Sequence, residues 1–257
     1  MSLELFPDTA ARSDGVLSVG GVAATELAER FGTPLVVYCR ETLLAQARAY
    51  RAIEPDALVA YGVKAFPNVA LLRLFAEEEL GADVSSLGEL EFALRAGLRG
   101  ERLLVHGNNK SDAELEAAAA ADAHVVLDSS EEVARAREAR VRRVLVRLTP
   151  GVEARTHQSI QTAHDESKFG LDPEQALATL RAALDGLEPV GVHVHIGSQL
   201  ARPDESLLAV PATGGYTLAM ASNYNALPRP AAVLVGGGDA ELLRRRETTD
   251  DLLAYEA

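Results

Sequence analysis

An apolar run, Ala57-Leu58-Val59-Ala60-Tyr61-Gly62-Val63-Lys64, ends on a lysine, and Ala65-Phe66-Pro67-Asn68 follows it. The run has the composition of a buried β-strand, and the proline and asparagine behind it are typical of a turn. Lys64 therefore stands at the mouth of a predicted strand, where burial favours the neutral amine that attacks a carbonyl carbon. The alternative is a side chain that simply extends from the strand end into water.

Lysine is scarce elsewhere in the chain. Of the 25 Lys and Arg residues, three are lysines: Lys64, Lys110 and Lys168. Solvation of the surface is therefore left to arginine, which makes a lysine at a strand end a stronger candidate for chemistry.

Length and composition exclude several classes of protein. The 257 residues can bury a substantial core, and the formal charge of -13 argues against nucleic acid or an anionic membrane as partner. The first residues lack the pattern of a signal peptide, and no run is long enough to span a membrane. The single cysteine, Cys39, cannot form an intrachain disulfide. These features favour a cytoplasmic, enzyme-like protein.

Short β-rich runs alternate with helical patterns through the middle of the chain. The predicted strands are 57–65, 82–85, 103–106, 124–127, 144–148 and 190–196, and the predicted helices between them are 69–80, 88–96, 112–121, 131–140 and 173–184. This alternation predicts an α/β fold in which about six parallel strands have helices outside them. The sheet either curls toward a (β/α) barrel or stays open.

The two ends of the chain have a different pattern. Residues 14–40 hold two short β-like runs around one helix at 25–31, and hairpin-like runs follow Leu200 at 207–210, 231–235 and 240–244. We expect an α/β barrel over 41–200 and a small β-rich second domain formed by 1–40 together with 201–257. Gly236-Gly237-Gly238-Asp239 lies between two alternating runs, which favours a hairpin turn over a phosphate-binding loop.

Polar residues follow the predicted strands. In a parallel α/β architecture the carboxyl ends of the strands meet at one edge, where binding sites form. The candidates are Lys64, Asp83, Ser85, Ser86, His106, Asn108, Asn109, Asp128, Arg147, His193, His195 and Ser198. A lysine amine, a ring that can stack and donors for an anion together suit pyridoxal phosphate. Arg147 interrupts a hydrophobic strand, so it requires an anionic partner.

The sequence His193-Val194-His195 admits other interpretations. Two residues apart on a strand, both rings point to one face, which is also how zinc sites in barrel hydrolases begin. Such a site needs further ligands from later strands, and no histidine follows His195. We therefore expect no metal, and rank zinc below a histidine that stacks on a cofactor. A satisfied, buried histidine stays open for His193.

Several segments resemble the diaminopimelate decarboxylases, which belong to the alanine-racemase-like (fold-type III) pyridoxal phosphate enzymes. The lysine motif is Tyr61-Gly62-Val63-Lys64-Ala65-Phe66-Pro67-Asn68, and the sixth-strand motif is His193-Val194-His195-Ile196-Gly197-Ser198-Gln199. Other segments that resemble the family are 81–86, 88–90, 106–111, 167–170, 209–216 and 220–225. The resemblance extends over nearly the whole chain and includes all three lysines.

The resemblance implies a role for particular residues. Lys64 would hold pyridoxal 5'-phosphate covalently, His195 would stack on its ring, and Ser198 would donate to its phosphate. Asp83 and Arg147 would line the cofactor pocket. Tyr216 would contact cofactor and substrate from the second domain, usually across the interface of a homodimer. The implied reaction is loss of carbon dioxide from meso-diaminopimelate to give L-lysine, with no nucleic acid or membrane partner.

The chain also departs from the family's pattern. In the family a long stretch separates the sixth-strand motif from the Pro-Ala-Thr-Gly segment, which is 211–214 here. His195 and Tyr216 are close in this sequence, so we expect an incomplete barrel that lacks the stretch after Leu200. Two alternatives stay open for the function: a related basic amino-acid decarboxylase or racemase, and a non-catalytic remnant of the fold that binds cofactor or a partner.

Overall fold

The fold is seen in a computed structural model that describes residues 6–149, 169–195, 215–216, 218–222, 228–248, 250–251 and 254. The described residues divide into two compact units: 6–59, 63–80 and those from 215 onward form the first, and Ala60–Gly62 with 81–149 and 169–195 the second. The sequence-based domain boundaries, 41–200 against 1–40 with 201–257, stay a prediction.

The second unit is built on a six-stranded sheet in the order β10-β9-β8-β7-β6-β5. Its strands are β5 (Ala60–Gly62), β6 (Gly81–Val84), β7 (Leu103–Val105), β8 (His124–Leu127), β9 (Arg143–Arg147) and β10 (Glu188–His193). Every neighbouring pair is parallel. The α/β fold class with about six parallel strands is therefore confirmed, and all six strands end at one edge, called here the carboxyl edge.

The helices alternate with these strands, as the sequence predicts. They are α3 (Val69–Glu77), α4 (Leu87–Arg95), α5 (Asp112–Ala120), α6 (Glu132–Glu138) and α7 (Pro173–Ala183). Apolar strand residues such as Ala82, Leu103 and Val125 are fully buried, because a parallel sheet is covered on both faces. Ser111 caps α5: its side chain accepts from the backbone N–H of Glu114, whose carboxylate accepts from the Ser111 backbone in return.

The two edge strands are shorter or displaced relative to prediction. β5 covers only Ala60–Gly62 of the predicted strand 57–65, and a 3-10 turn at Val63–Ala65 follows it. In the part of the chain that the structure describes, β5 pairs with β6 alone, and only over these residues. β10 ends at His193, so His195 lies beyond the regular strand. Apolar composition predicts the presence of a strand, whereas its length depends on the neighbour with which it pairs.

The first unit contains two small sheets. One is a meander of β1 (Ala11–Ser13), β2 (Val16–Val19) and β3 (Val22–Ala23); the other has the order β12-β11-β4, from β4 (Leu35–Cys39), β11 (Ala231–Gly236) and β12 (Asp239–Arg244). The helices α1 (Ala24–Phe31) and α2 (Arg40–Ile53) accompany them. Val22, Val233 and Val235 belong to the buried core of this unit. The small β-rich part predicted from the chain ends is thus present.

The glycine-rich segment at 236–239 is the predicted hairpin turn, which joins β11 to β12 in antiparallel pairing. Gly237 and Gly238 both have positive φ, as such tight turns require. A Cβ on Gly236 would lie 2.8 Å from the Cβ of Arg40, so only glycine fits there. The Glu41 carboxylate accepts a 2.7 Å hydrogen bond from the backbone N–H of Gly237 and fixes the turn. Among the described residues, every helix is too short or too polar to cross a bilayer.

Replacing Asn68 with alanine is expected to destabilise the first unit. The Asn68 side chain caps α3 by accepting from Leu71 N–H at 3.0 Å, and it donates to the Leu243 carbonyl at 2.7 Å. Loss of a helix cap costs about 1 kcal/mol, and loss of the partly buried hydrogen bond to the Leu243 carbonyl adds to that cost. Urea unfolding of the Asn68→Ala variant measures the change. Ser111→Ala, which removes an exposed cap whose hydroxyl contacts only Glu114 among the described residues, is the control and should cost less.

Candidate functional site

Five polar side chains lie at or just beyond the ends of neighbouring strands on the carboxyl edge. Asp83 is on β6, His106 follows β7, Asp128 follows β8, Arg147 ends β9 and His193 ends β10. Because the strands are parallel, their ends place these groups in sequence along one edge. The sequence singled out all of these positions as candidates.

Arg147 has the anionic partner that its buried position requires. Its Nη1 lies 3.1 Å from Oδ1 of Asp128, and the two side chains are 6% and 4% exposed. The guanidinium carbon also lies 4.8 Å from the centre of the Phe169 ring. The second Asp128 oxygen accepts from the backbone N–H of Gly170 at 3.1 Å. The prediction of a partner for Arg147 is confirmed, and the pair ties the segment at 169–170 to the ends of β8 and β9.

A second buried ion pair adjoins the first, to which it is linked through the backbone of Asp128. The Lys110 ammonium is 2.8 Å from Oε2 of Glu132, with both side chains at most 3% exposed. The same carboxylate accepts from the backbone N–H groups of Lys110 and Asp128, and the ammonium also donates to the Gly107 carbonyl. Glu132 thus fixes the backbone of Asp128, the partner of Arg147. Sequence reasoning missed this role; the one available signal was a rare lysine after Asn108-Asn109.

Asp83, His106 and His193 form a separate group. Nε2 of His106 lies 3.2 Å from Oδ2 of Asp83, although the N–H direction does not give an aligned hydrogen bond. The rings of His106 and His193 stack with centroids 6.1 Å apart and planes inclined by 22°. Nδ1 of His193 is buried and has no hydrogen-bond partner in the part of the chain that the structure describes. Whether His193 is a satisfied, buried histidine stays a prediction.

His193 is electrostatically unsuited to carry charge. Burial lowers its pKa from the ordinary value of 6.5 to about 4, and the positive charge of Arg147 acts in the same direction. The neighbouring imidazoles of His106 and His195 also disfavour a proton there, whereas Asp83 favours one. His193 is accordingly a neutral imidazole near pH 7.

The His193→Gln variant should lose less stability on acidification than the parent chain. The unfolded chain binds a proton at His193 near pH 6.5, whereas the folded protein does so only near the lowered pKa of about 4. Between these values the unfolded state binds more protons, so the free energy of unfolding falls as the pH falls. Urea midpoints at several pH values in this window measure the slope for both proteins. Equal slopes would contradict the assignment.

The other predicted site residues lie as follows. Lys64 is half-buried in the 3-10 turn directly after β5, and the backbone N–H of Tyr216 donates to its neighbour Ala65 at 2.7 Å. The Tyr216 side chain is 45% exposed and its φ is positive, at 65°. His195 is half-buried. Ser198 lies outside the described residues. The cofactor-binding roles of Lys64, Asp83, Arg147, His195, Ser198 and Tyr216 stay predictions.

Among the described residues, no group of three or more His, Cys, Asp or Glu side chains could hold a metal ion.

Comparison with known proteins places this geometry in a family. The family model "Pyridoxal-dependent decarboxylase, pyridoxal binding domain" matches residues 40–224. The chain is 43% identical over 208 residues to the diaminopimelate decarboxylase of Mycobacterium tuberculosis, covering 76% of this chain and 46% of the relative. It is 37% identical over 239 residues to that of Halalkalibacterium halodurans, covering 87% of this chain and 54% of the relative. The chain thus spans about half the length of the curated relatives that it matches.

Solved structures agree on the fold. The diaminopimelate decarboxylase of M. jannaschii in complex with L-lysine superposes with a TM-score of 0.83 at 23% identity, covering 97% of this chain and 98% of that chain. The lysine decarboxylase of Selenomonas ruminantium gives a TM-score of 0.59 at 30% identity, covering 68% of this chain and 45% of that one. The resemblance read from the sequence motifs is confirmed. With the family model matched from residue 40 to residue 224, the chain belongs to the pyridoxal-dependent decarboxylases.

Proposed function

We propose that the chain binds pyridoxal 5'-phosphate and decarboxylates meso-diaminopimelate to L-lysine. The observation that carries the proposal is that the family match, residues 40–224, includes both the lysine turn after β5 and the polar carboxyl edge. The curated relatives of this region, at 43% and 37% identity, are diaminopimelate decarboxylases. The chain covers about half the length of each of these relatives.

The donor set suits the cofactor. A pyridoxal phosphate site needs an amine that binds the cofactor, side chains that lie against its pyridine ring, and neighbouring residues whose charges balance those of the cofactor. The structure offers the half-buried amine of Lys64 and, along the carboxyl edge, two stacked imidazoles beside Asp83. Two of the imidazole nitrogens, Nε2 of His106 and Nδ1 of His193, are buried without an aligned protein partner among the described residues. When bound, the cofactor supplies the electron sink that decarboxylation of an amino acid requires.

The residues would divide the work as follows. Lys64 would hold the cofactor through its amine, His195 would lie against its ring, and Ser198 would donate to its phosphate. Asp83 would place a negative charge beside the ring, while Arg147, already neutralised by Asp128, would keep the pocket wall rigid. Tyr216 would contact the substrate, with its backbone held by Ala65.

Turnover assays test the proposal. Full-length chain is purified with pyridoxal phosphate, and release of carbon dioxide and formation of lysine from meso-diaminopimelate are measured. Lysine, ornithine and arginine are offered in parallel, because the likeness to a lysine decarboxylase favours a related basic amino-acid decarboxylase as second candidate. Carbon dioxide from diaminopimelate alone supports the first function. Cofactor binding without turnover of any substrate would refute both and leave a non-catalytic binding protein.

We also propose a cytoplasmic homodimer. The motif around Tyr216 resembles one that contributes to the site across a dimer interface, and the single cysteine agrees with a reducing compartment. Light scattering of the cofactor-loaded chain measures its mass. A monomer at concentrations where turnover is full would contradict the dimer.

A further inference from the structure

The protons on His106 and His193 can be placed from their surroundings. Nε2 of His106 lies 3.2 Å from a carboxylate oxygen of Asp83. If that nitrogen carried a lone pair instead of a proton, two electron-rich atoms would face each other at this distance. The proton therefore resides on Nε2 of His106, and the attraction to Asp83 holds the ring in place.

The same reasoning applies to His193, with a different constraint. Its Nδ1 is buried without a hydrogen-bond partner among the described residues. A buried N–H without an acceptor is rarer in proteins than a buried acceptor without a donor. Nδ1 of His193 is therefore the unprotonated nitrogen, and Nε2 carries the proton of this neutral ring.

We infer that Asp83, His106 and His193 act as one positioning unit, which holds both imidazoles as neutral Nε2–H tautomers at the end of β10. Asp83 orients His106, and the His106 ring packs on His193 at 6.1 Å. The charged or titratable groups that act on His193 come from several strands: Asp83 on β6, His106 after β7, Arg147 on β9 and His195 on its own segment.

The consequence for ligand binding rests on the proposed function. The protonated pyridine ring of pyridoxal phosphate is electron-poor and cationic, so a protonated imidazole beside it would repel it. A neutral His193 with a fixed donor avoids that repulsion and lies two positions before His195, which is proposed to stack on the ring. His106 never needs to touch the ligand: it acts through His193.

Nitrogen NMR of the cofactor-free chain tests the unit directly. In protein labelled with ¹⁵N-histidine, at a pH where the rings are neutral, the Nε2–H pattern is expected to dominate for both residues. Asp83→Asn should leave His106 as a mixture of tautomers. His106→Gln should raise the pKa of His193 from its value of about 4, because His106 opposes protonation there. An Nδ1–H tautomer at His193, or an unchanged His106 spectrum in Asp83→Asn, would overturn the inference.

A control separates positioning from damage to the fold. His124 begins β8 at the opposite, amino-terminal edge of the same sheet, so His124→Gln removes a partly buried imidazole without touching the unit. This variant should leave both tautomer patterns as in the parent. If His106→Gln does not fold, the comparison of the Asp83→Asn spectra with those of the parent and of His124→Gln tests the inference instead.

Cofactor titration gives the functional readout. We expect pyridoxal phosphate to bind several-fold more weakly to His106→Gln than to His124→Gln. Visible absorbance during the titration measures both affinities. Equal affinities would refute a positioning role. If the parent chain forms no visible band with pyridoxal phosphate, the proposed function is refuted. The tautomer assignment is tested separately, by the spectra of the cofactor-free protein.

Discussion

Replacement of Lys64 with alanine will abolish covalent retention of pyridoxal phosphate and, with it, turnover. Borohydride reduction of the parent chain should fix the cofactor to the peptide that contains Lys64, detected by its added mass. The reason is chemical: a Schiff base needs an accessible primary amine. Lys64 is half-buried in the turn after β5, whereas the ammonium of Lys110 is buried and engaged by Glu132 and the Gly107 carbonyl.

Two variants control this experiment. Lys64→Arg keeps the positive charge but offers no primary amine, so it should lose the adduct as fully as Lys64→Ala. Lys168→Arg changes the remaining lysine of the sequence and should retain the adduct. An adduct on Lys110 or Lys168 in the parent chain, or a visible band that persists in Lys64→Ala, would refute the assignment of Lys64.

The Glu132→Leu variant should lose about 3–5 kcal/mol of stability, the usual cost of breaking a buried ion pair by removing one partner. Glu132 satisfies the Lys110 ammonium and two backbone N–H groups, those of Lys110 and Asp128. Leucine leaves the ammonium buried without a counter-charge and both N–H groups without an acceptor. Urea unfolding, with fluorescence or circular dichroism as the signal, measures the loss.

Glu138 provides the matched control, because it lies on the same helix but is exposed. Glu138→Leu should change stability by less than about 0.5 kcal/mol, as surface substitutions usually do. The double variant Lys110→Met/Glu132→Leu should recover part of the loss, since it removes the stranded charge. A double variant no more stable than Glu132→Leu would show that the unmet backbone donors, and not the charge, dominate.

The regular elements were predictable because their signals are local. The strand at 124–127 and the helix that begins at Pro173 lie where the alternation of β-rich runs and helical patterns predicts them. The hairpin at 236–239 likewise follows from its glycines between alternating runs. β5 was predicted too long because its extent is set by pairing with β6, which the residues of β5 do not encode by themselves.

The sequence predicts which residues reach the carboxyl edge, but not which of them contact each other there. Strand order along the chain predicts that Asp83, His106 and His193 reach the same edge, and burial predicts that Arg147 needs an anion. Which anion, and which ring stacks on which, depends on contacts between loops far apart in sequence. The pairing of Arg147 with Asp128 and the stacking of His106 on His193 are two such contacts, which the sequence alone does not predict.

The linked ion pairs behind the carboxyl edge have a consequence for protein engineering. Lys110, Glu132, Asp128 and Arg147 are connected in series, with the Glu132 carboxylate holding the backbone of Asp128. Libraries that randomise one of these codons at a time should be depleted of folded members, because each change leaves a buried partner without its counter-charge. Productive diversification requires that paired codons vary together, so that mutually compatible partners can arise in a single step.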